Sequence, residues 1–196
     1  MKTDYLASID RAIVQAVNGW NTPFLDEFMW IVSGKLTWIP FYILLIFLYT
    51  RKTTLVKGGV FFICAIISVA LADQVSVHLF KEVFERSRPS HHALLTEKLH
   101  FYMFDDGSIY KGGAYCFVSS HAANFCAVVA FSYFTLKHYY TTLFIPFLFC
   151  IMLVCFSRIY LGVHYLSDVL VGGMLGVLIA KIIYHLVFRV VVRDIK

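Results

Sequence analysis

The chain has 196 residues, of which 60% are hydrophobic, 17% aromatic and only 15% charged, at a mean hydropathy of +0.74. Soluble domains carry about 25% charged residues and roughly 45–50% apolar ones, so the composition points to a single domain held in a membrane. The net charge of +5 is dispersed, with no basic run interleaved with aromatics, which argues against a nucleic-acid surface; five cysteines without CxxC spacing predict neither a zinc site nor a disulfide framework.

In chain order, the start Met1-Lys2-Thr3-Asp4 lacks the basic, apolar and small-residue sequence of a secretory signal, and no processing is expected. From Tyr5 to Val17 the apolar positions Leu6, Ile9, Ile13, Val14 and Val17 recur at helical spacing, with Asp10, Arg11 and Gln15 on other faces. Such a segment is too polar to span and is expected to lie along the interface. A second short helix is predicted from Phe24 to Ser33, with Asp26 and Glu27 near its dipole-positive start. Residues 1–35 thus read as interfacial helices, although residues 24–50 also fit one kinked crossing.

Leu36 to Thr50 is the first predicted span and Gly58 to Val77 the second, the latter with Asp73 inside it. Arg51, Lys52 and Lys57 in the short loop between them mark the cytoplasmic side. Residues 89–114 form the longest polar connection, read as a functional outer loop or lid, in which Phe101, Tyr102 and Phe104 suit an interfacial anchor. Its His91, His92, His100, Asp105 and Asp106 match no metal-ligand spacing, and no metal is expected. Tyr115 to Leu136, Thr142 to Tyr160 and Val169 to Phe188 complete five spans, with Arg189, Arg193 and Lys196 repeating the positive-inside signal. This topology places residues 78–114 and 157–168 on one outer side.

Three polar clusters fall at those outer ends. Lys81 and Arg88 are seven apart, two helical turns on one face, with Pro89 as the expected stop; Glu82 and Glu85 allow the plainer reading of a solvated helix end. Ser119-Ser120-His121 opens the third span, where unpaired N–H groups and the dipole attract an anion, though a serine there also serves as a simple cap. His164 and Asp168 are four apart, so on a helix the carboxylate can orient the imidazole, while Arg158 lies six residues earlier across a flexible Gly162. The plain alternative is an Arg158–Asp168 ion pair at the membrane edge. Taken together, three cations, a serine-lined helix start and two histidines suit phosphoryl transfer: charge neutralisation, an in-line nucleophile and an acid for the leaving oxygen, without a cofactor.

Lys81 with six residues before Arg88-Pro89, then Ser119-Ser120-His121, then Ser157-Arg158 with five residues before His164 and three more before Asp168 resemble the type 2 phosphatidic acid phosphatase family. That family shares its active-site pattern with vanadium-dependent haloperoxidases, soluble enzymes that five spans argue against. The chain departs from the family in one motif, reading Val118-Ser119-Ser120-His121 where Pro-Ser-Gly-His is usual. The resemblance implies an all-α polytopic bundle and a single phosphatase domain over 1–196, with its catalytic motifs in 81–168. It implies that His164 forms a phosphohistidine, Asp168 holds its ring, His121 protonates the leaving lipid oxygen and then activates water, and Lys81, Arg88, Ser119, Ser120 and Arg158 hold the phosphate. It implies a lipid phosphate substrate in a bacterial inner membrane, with the site facing the periplasm or cell exterior. Among such enzymes the short N-terminal helix pair is most similar to undecaprenyl-diphosphate phosphatases, with lipid A and phosphatidylglycerophosphate or phosphatidate phosphatases as alternatives. A non-enzymatic transporter is the remote one.

Overall fold

The computed structural model describes residues 2–195, with side chains from residue 5 onward. Met1, Lys196 and the expectation of an unprocessed start lie outside that description. Among the described residues seven helices form the fold: α1 Lys2–Asn18, α2 Pro23–Ser33, α3 Ile39–Thr50, α4 Leu55–Phe84, α5 Ser120–Leu136, α6 Phe144–Tyr160 and α7 Leu166–Arg193. The chain is thus an all-helical, polytopic membrane bundle. α4 and α7 are long and apolar enough to cross a bilayer alone; α2 and α3 qualify only as a pair bent by 72° at Gly34-Lys35, the kinked alternative for residues 24–50. α5 and α6, at 17 residues each, sit at the short end of spanning length.

α5 is the central post, buried along most of its length between α4 and α7. The α5–α7 contact is close because α7 brings glycines to it: a Cβ on Gly176 would lie 2.1 Å from the Ala123 carbonyl oxygen, and one on Gly172 would lie 2.6 Å from that of Ser119. Small residues let helix backbones meet where lipid supplies no hydrophobic drive for association. Below this contact Tyr49, Phe61, Phe131 and Phe188 stack into an aromatic core. The basic loops gather at that lower end, where Lys52 sits over the Tyr140 ring and the Tyr140 hydroxyl donates to the Leu48 carbonyl. The three polar clusters gather at the other end.

Four expectations change. The second span continues past Val77 to Phe84, with a widened turn over Ser76–Lys81, and ends at Glu85 in the left-handed region (φ 44°) rather than at Pro89. Lys81 and Arg88 therefore do not share a helix face; the chain reverses between them. The third helix begins at Ser120, leaving Tyr115 to Ser119 outside it, with a bend at Phe117 and Val118. α1 does not merely lie on the surface: Asp10, Val14 and Asn18, at i, i+4 and i+8, form its buried stripe, while Leu6 stays exposed. Asn18 drives this, since its amide donates to the carbonyls of His100 and Tyr160 and accepts from the His100 N–H. Finally, Tyr102 and Phe104, expected to anchor the loop at the interface, find partners within the protein. They pack on Trp30 of α2, Tyr102 stacked at 4.6 Å, and His100 and Tyr102 bond Asp26 and Glu27, so the 89–114 loop is strapped to α2.

Replacing Gly176 with alanine is expected to destabilise the protein by about 3 kcal/mol, the upper range for overpacking a close contact. Gly59→Ala, whose added methyl meets nothing within 4 Å, should leave it unchanged or slightly more stable. Thermal unfolding of both variants in detergent measures the difference.

Candidate active site

The structure brings Lys81, Arg88, Ser119, Ser120, His121, Arg158, His164 and Asp168 to one end of the bundle, from four chain segments. His164 lies in the tight turn between α6 and α7, not on a helix, and is 1% exposed. Gly162 makes that turn possible with φ +68°, a conformation that L side chains rarely adopt. Arg88 Nη1 donates to the Val163 carbonyl at 3.1 Å and lies 3.2 Å from His164 Nε2. Guanidinium nitrogens only donate, so Nε2 is the acceptor and the ring's proton sits on Nδ1. Nε2 thus carries the ring's lone pair, directed at Arg88.

His164 Nδ1 lies 3.6 Å from Asp168 Oδ2, an ion-pair distance longer than a hydrogen bond. Asp168 is instead engaged elsewhere. As the third residue of α7 it accepts from the Tyr165 N–H at 2.9 Å, and its other oxygen accepts from Arg86 Nη1 at 2.7 Å. The Arg158–Asp168 ion pair, the plain alternative for this segment, does not form among the described residues: Arg158 donates to the Ser33 hydroxyl and, at 3.0 Å, to the Tyr110 hydroxyl.

Arg86 was not visible as a site residue from spacing. Its second guanidinium nitrogen donates to Asp10 at 2.8 Å, and Asp10 also accepts from the Ser167 N–H and hydroxyl. The i, i+4, i+8 stripe of Asp10, Val14 and Asn18 was the available signal, masked because it is polar at both ends.

The helix start fits serine without strain. Ser119 precedes α5 and its hydroxyl accepts from the Ala122 N–H, which leaves the hydroxyl hydrogen uncommitted. Ser120 stands within the helix, where no left-handed backbone is required, and its hydroxyl pairs with that of Ser76 at 2.8 Å. The departure from glycine therefore costs no geometry. Asp73 accepts from the Asn124 amide at 2.9 Å, a neutral partner for a carboxylate inside the bundle.

Arg88 and Arg158 are both buried, and the Nε of each, like His164 Nδ1, has no hydrogen-bond partner among the described residues. Buried donors are normally satisfied, so the two orphaned arginine nitrogens mark a place for acceptor oxygens, while His164 Nδ1 faces Asp168. Burial, then Arg158, pushes Arg88 below its ordinary range. Burial, then Arg88, Arg158, Lys81 and His121, pushes His164 well below the usual histidine range. These groups are near enough to repel one another, as a site assembled for an anion requires. Lys81, Arg88, Ser120, His121 and Arg158 also line a cavity of about 1170 Å³, which continues between α3, α4 and α5 along Tyr42, Phe62, Ile66 and Val128. A charged head over an apolar cleft suits a lipid phosphate.

A buried cation cluster around paired histidines on a membrane helical bundle defines an enzyme class, the membrane lipid phosphatases. The sequence model of the PAP2 superfamily matches residues 58–191, and the chain belongs to that family. It is 34% identical over 185 residues to the lipid A 4'-phosphatase of Porphyromonas gingivalis, covering 92% of this chain and 74% of that protein. It is 24% identical to the lipid A 4'-phosphatase of Bacteroides thetaiotaomicron over 97% of this chain and 82% of that one. Among solved structures, a transmembrane PAP2-type phosphatidylglycerolphosphate phosphatase of Bacillus subtilis superposes with a TM-score of 0.66 at 25% identity, covering 98% of this chain and 88% of that one. Aquifex aeolicus LpxE shares the fold, with a TM-score of 0.57 at 19% identity over 88% of this chain and 92% of that one.

Two measurements check this geometry. The low affinity of His164 for a proton should keep it a neutral Nδ1–H imidazole at about pH 5.5, roughly a unit below the ordinary histidine value. Nitrogen NMR of histidine-labelled protein, assigned by difference from His164→Gln, would show an imidazolium there if the description were wrong. Arg86→Gln should destabilise the fold by about 3 kcal/mol, because it leaves two buried carboxylates without their shared cation; chemical or thermal unfolding reads this.

Proposed function

We propose that this enzyme removes a phosphate monoester from lipid A, working at the outer face of the bacterial inner membrane. The observation that supports the reaction is the pair of buried arginines with unsatisfied donors beside His164 Nε2. The substrate is suggested by the relatives, two of which are named lipid A 4'-phosphatase and align along almost the whole chain. These relatives favour lipid A over undecaprenyl diphosphate, the substrate expected from the short helix pair. Phosphatidylglycerophosphate stands second, favoured by the Bacillus subtilis structure. The orientation rests on the basic loop ends, Arg51, Lys52 and Lys57 among them, which lie at the end of the bundle away from the site.

In this reading His164 Nε2 attacks phosphorus, and the bond to the lipid oxygen breaks as the N–P bond forms. His121 gives its proton to that oxygen, leaving a hydroxyl on the lipid. Lys81, Arg88 and Arg158, with the Ser120 N–H and the Ser119 hydroxyl, neutralise the remaining phosphate oxygens. Asp168 stabilises the ring once attack has made it positive. Water then attacks the phosphohistidine while His121 takes its proton, and inorganic phosphate leaves.

Purified protein in detergent, assayed with chelator present, should release phosphate from lipid A faster than from undecaprenyl diphosphate, phosphatidylglycerophosphate or phosphatidate. His164→Ala should abolish release, and Arg88→Gln should slow it by about a hundredfold or more. Full activity in His164→Ala would exclude the phosphohistidine route. A preference for undecaprenyl diphosphate would exclude lipid A as the principal substrate.

A further inference from the structure

Beyond the larger cavity, a second space of about 380 Å³ opens between the end of α2 and Tyr110. Six of its nine lining residues, among them Lys35, His121 and Arg158, also border the larger cavity, so it is a side lobe of that cavity. His164 borders neither, so both spaces lie on the His121 side of the pocket, where a lipid oxygen leaving in line from His164 would depart. Lys35 stands in the 72° bend between α2 and α3, held there by the Thr37 hydroxyl donating to the Ile31 carbonyl. It is exposed and forms no salt bridge among the described residues. It borders the same space as the His121 ring and Arg158.

Charge counting gives this position meaning. A phosphate monoester brings at most two negative charges, and Lys81, Arg88 and Arg158 already exceed them. Asp73, a carboxylate on the larger cavity's wall, lies deeper and is bonded to Asn124. Lys35, like Lys111 on the larger cavity's wall, is a cation beyond these three, and beside the leaving-group acid it adds only repulsion unless the departing lipid brings negative charge of its own.

We propose that Lys35 and the smaller cavity form a second anion subsite, which receives a further phosphate carried by the part of the lipid that leaves. The preferred substrates are then lipids bearing two phosphate groups, of which the enzyme removes one. This rests on the lipid phosphatase reading above and adds a residue and a selection rule to it. Lys35 touches the portion of substrate that keeps its phosphate, so it acts on affinity rather than on bond breaking.

The test compares two substrate pairs in detergent micelles: lipid A with the 4'-phosphate and a second phosphate against lipid A with the 4'-phosphate alone, and phosphatidylglycerophosphate against phosphatidate. Lys35→Gln should lower the kcat/KM ratio of doubly to singly phosphorylated substrate by about tenfold, through KM, the scale of one charge-assisted contact. Lys35→Arg should retain the wild-type ratio, and the Lys35→Gln effect should shrink as salt rises, as an exposed cation requires. An unchanged ratio, or an equal loss on both members of each pair, would overturn the subsite and leave the phosphatase reading intact. Wild-type protein that releases phosphate from none of the four lipids would instead overturn the reading on which the subsite rests.

Discussion

Asp168 is the residue through which the site is held together. Its side chain accepts from the turn at Tyr165 and from Arg86, and its main-chain oxygen accepts from the Ser119 N–H at the head of α5. Through Arg86 it is joined to Asp10 of α1. Two carboxylates buried at this depth would repel each other and lose their hydration; one guanidinium between them offsets both costs and is satisfied by both. The consequence is positional: α1, the 85–89 reversal, the histidine turn and the start of α5 cannot move independently. An N-terminal helix that composition alone assigns to the membrane surface thereby becomes part of the scaffold of the candidate site.

Two groups of charges lie side by side here, and their balance separates their uses. Arg86 with Asp10 and Asp168 is compensated within the chain, so it contributes architecture. Arg88 and Arg158 have donors left over, and their own hydrogen bonds go to neutral groups, the Val163 carbonyl and the Tyr110 hydroxyl among them, rather than to carboxylates. A folded protein keeps such an uncompensated cluster only at a cost in stability, which is the usual mark of a binding site rather than of a structural ion pair. The strapped 89–114 loop helps to hold the cluster. Gly112, with φ +68°, allows the backbone against Arg88, where an added Cβ would lie 2.8 Å from Nη1.

The fold class was legible because apolar runs of spanning length, separated by basic turns, leave a membrane bundle few alternatives. The charged and imidazole residues that converge at one end of the bundle were legible, since such groups stand out against an apolar background. What spacing could not supply was backbone path. Lys81 and Arg88 look like neighbours on one helix, yet Glu85 turns the chain between them and Arg88 reaches the pocket from an extended segment. Likewise His164 and Asp168 have helical spacing, yet only Asp168 is helical, and the carboxylate caps the helix instead of bonding the ring. Partners distant in sequence, such as Asp10 for Arg86 and Ser33 for Arg158, leave no local periodic trace at all.

At rest the proposed nucleophile is therefore neutral but covered. Arg88 faces His164 Nε2, and Asp168, committed to Arg86 and the Tyr165 N–H, stands 3.6 Å from the opposite ring nitrogen. An entering phosphate competes for the Arg88 donors far better than a neutral imidazole does, because charge-assisted hydrogen bonds are roughly twice as strong as neutral ones. Binding the anion would thus draw Arg88 from Nε2 and expose the lone pair at the moment phosphorus arrives. As attack makes the ring positive, its attraction to Asp168 grows in a site with little water to screen it. The same cations that keep the free histidine deprotonated would become neutralised by substrate, so that the ring is nucleophilic before attack and tolerates positive charge after it.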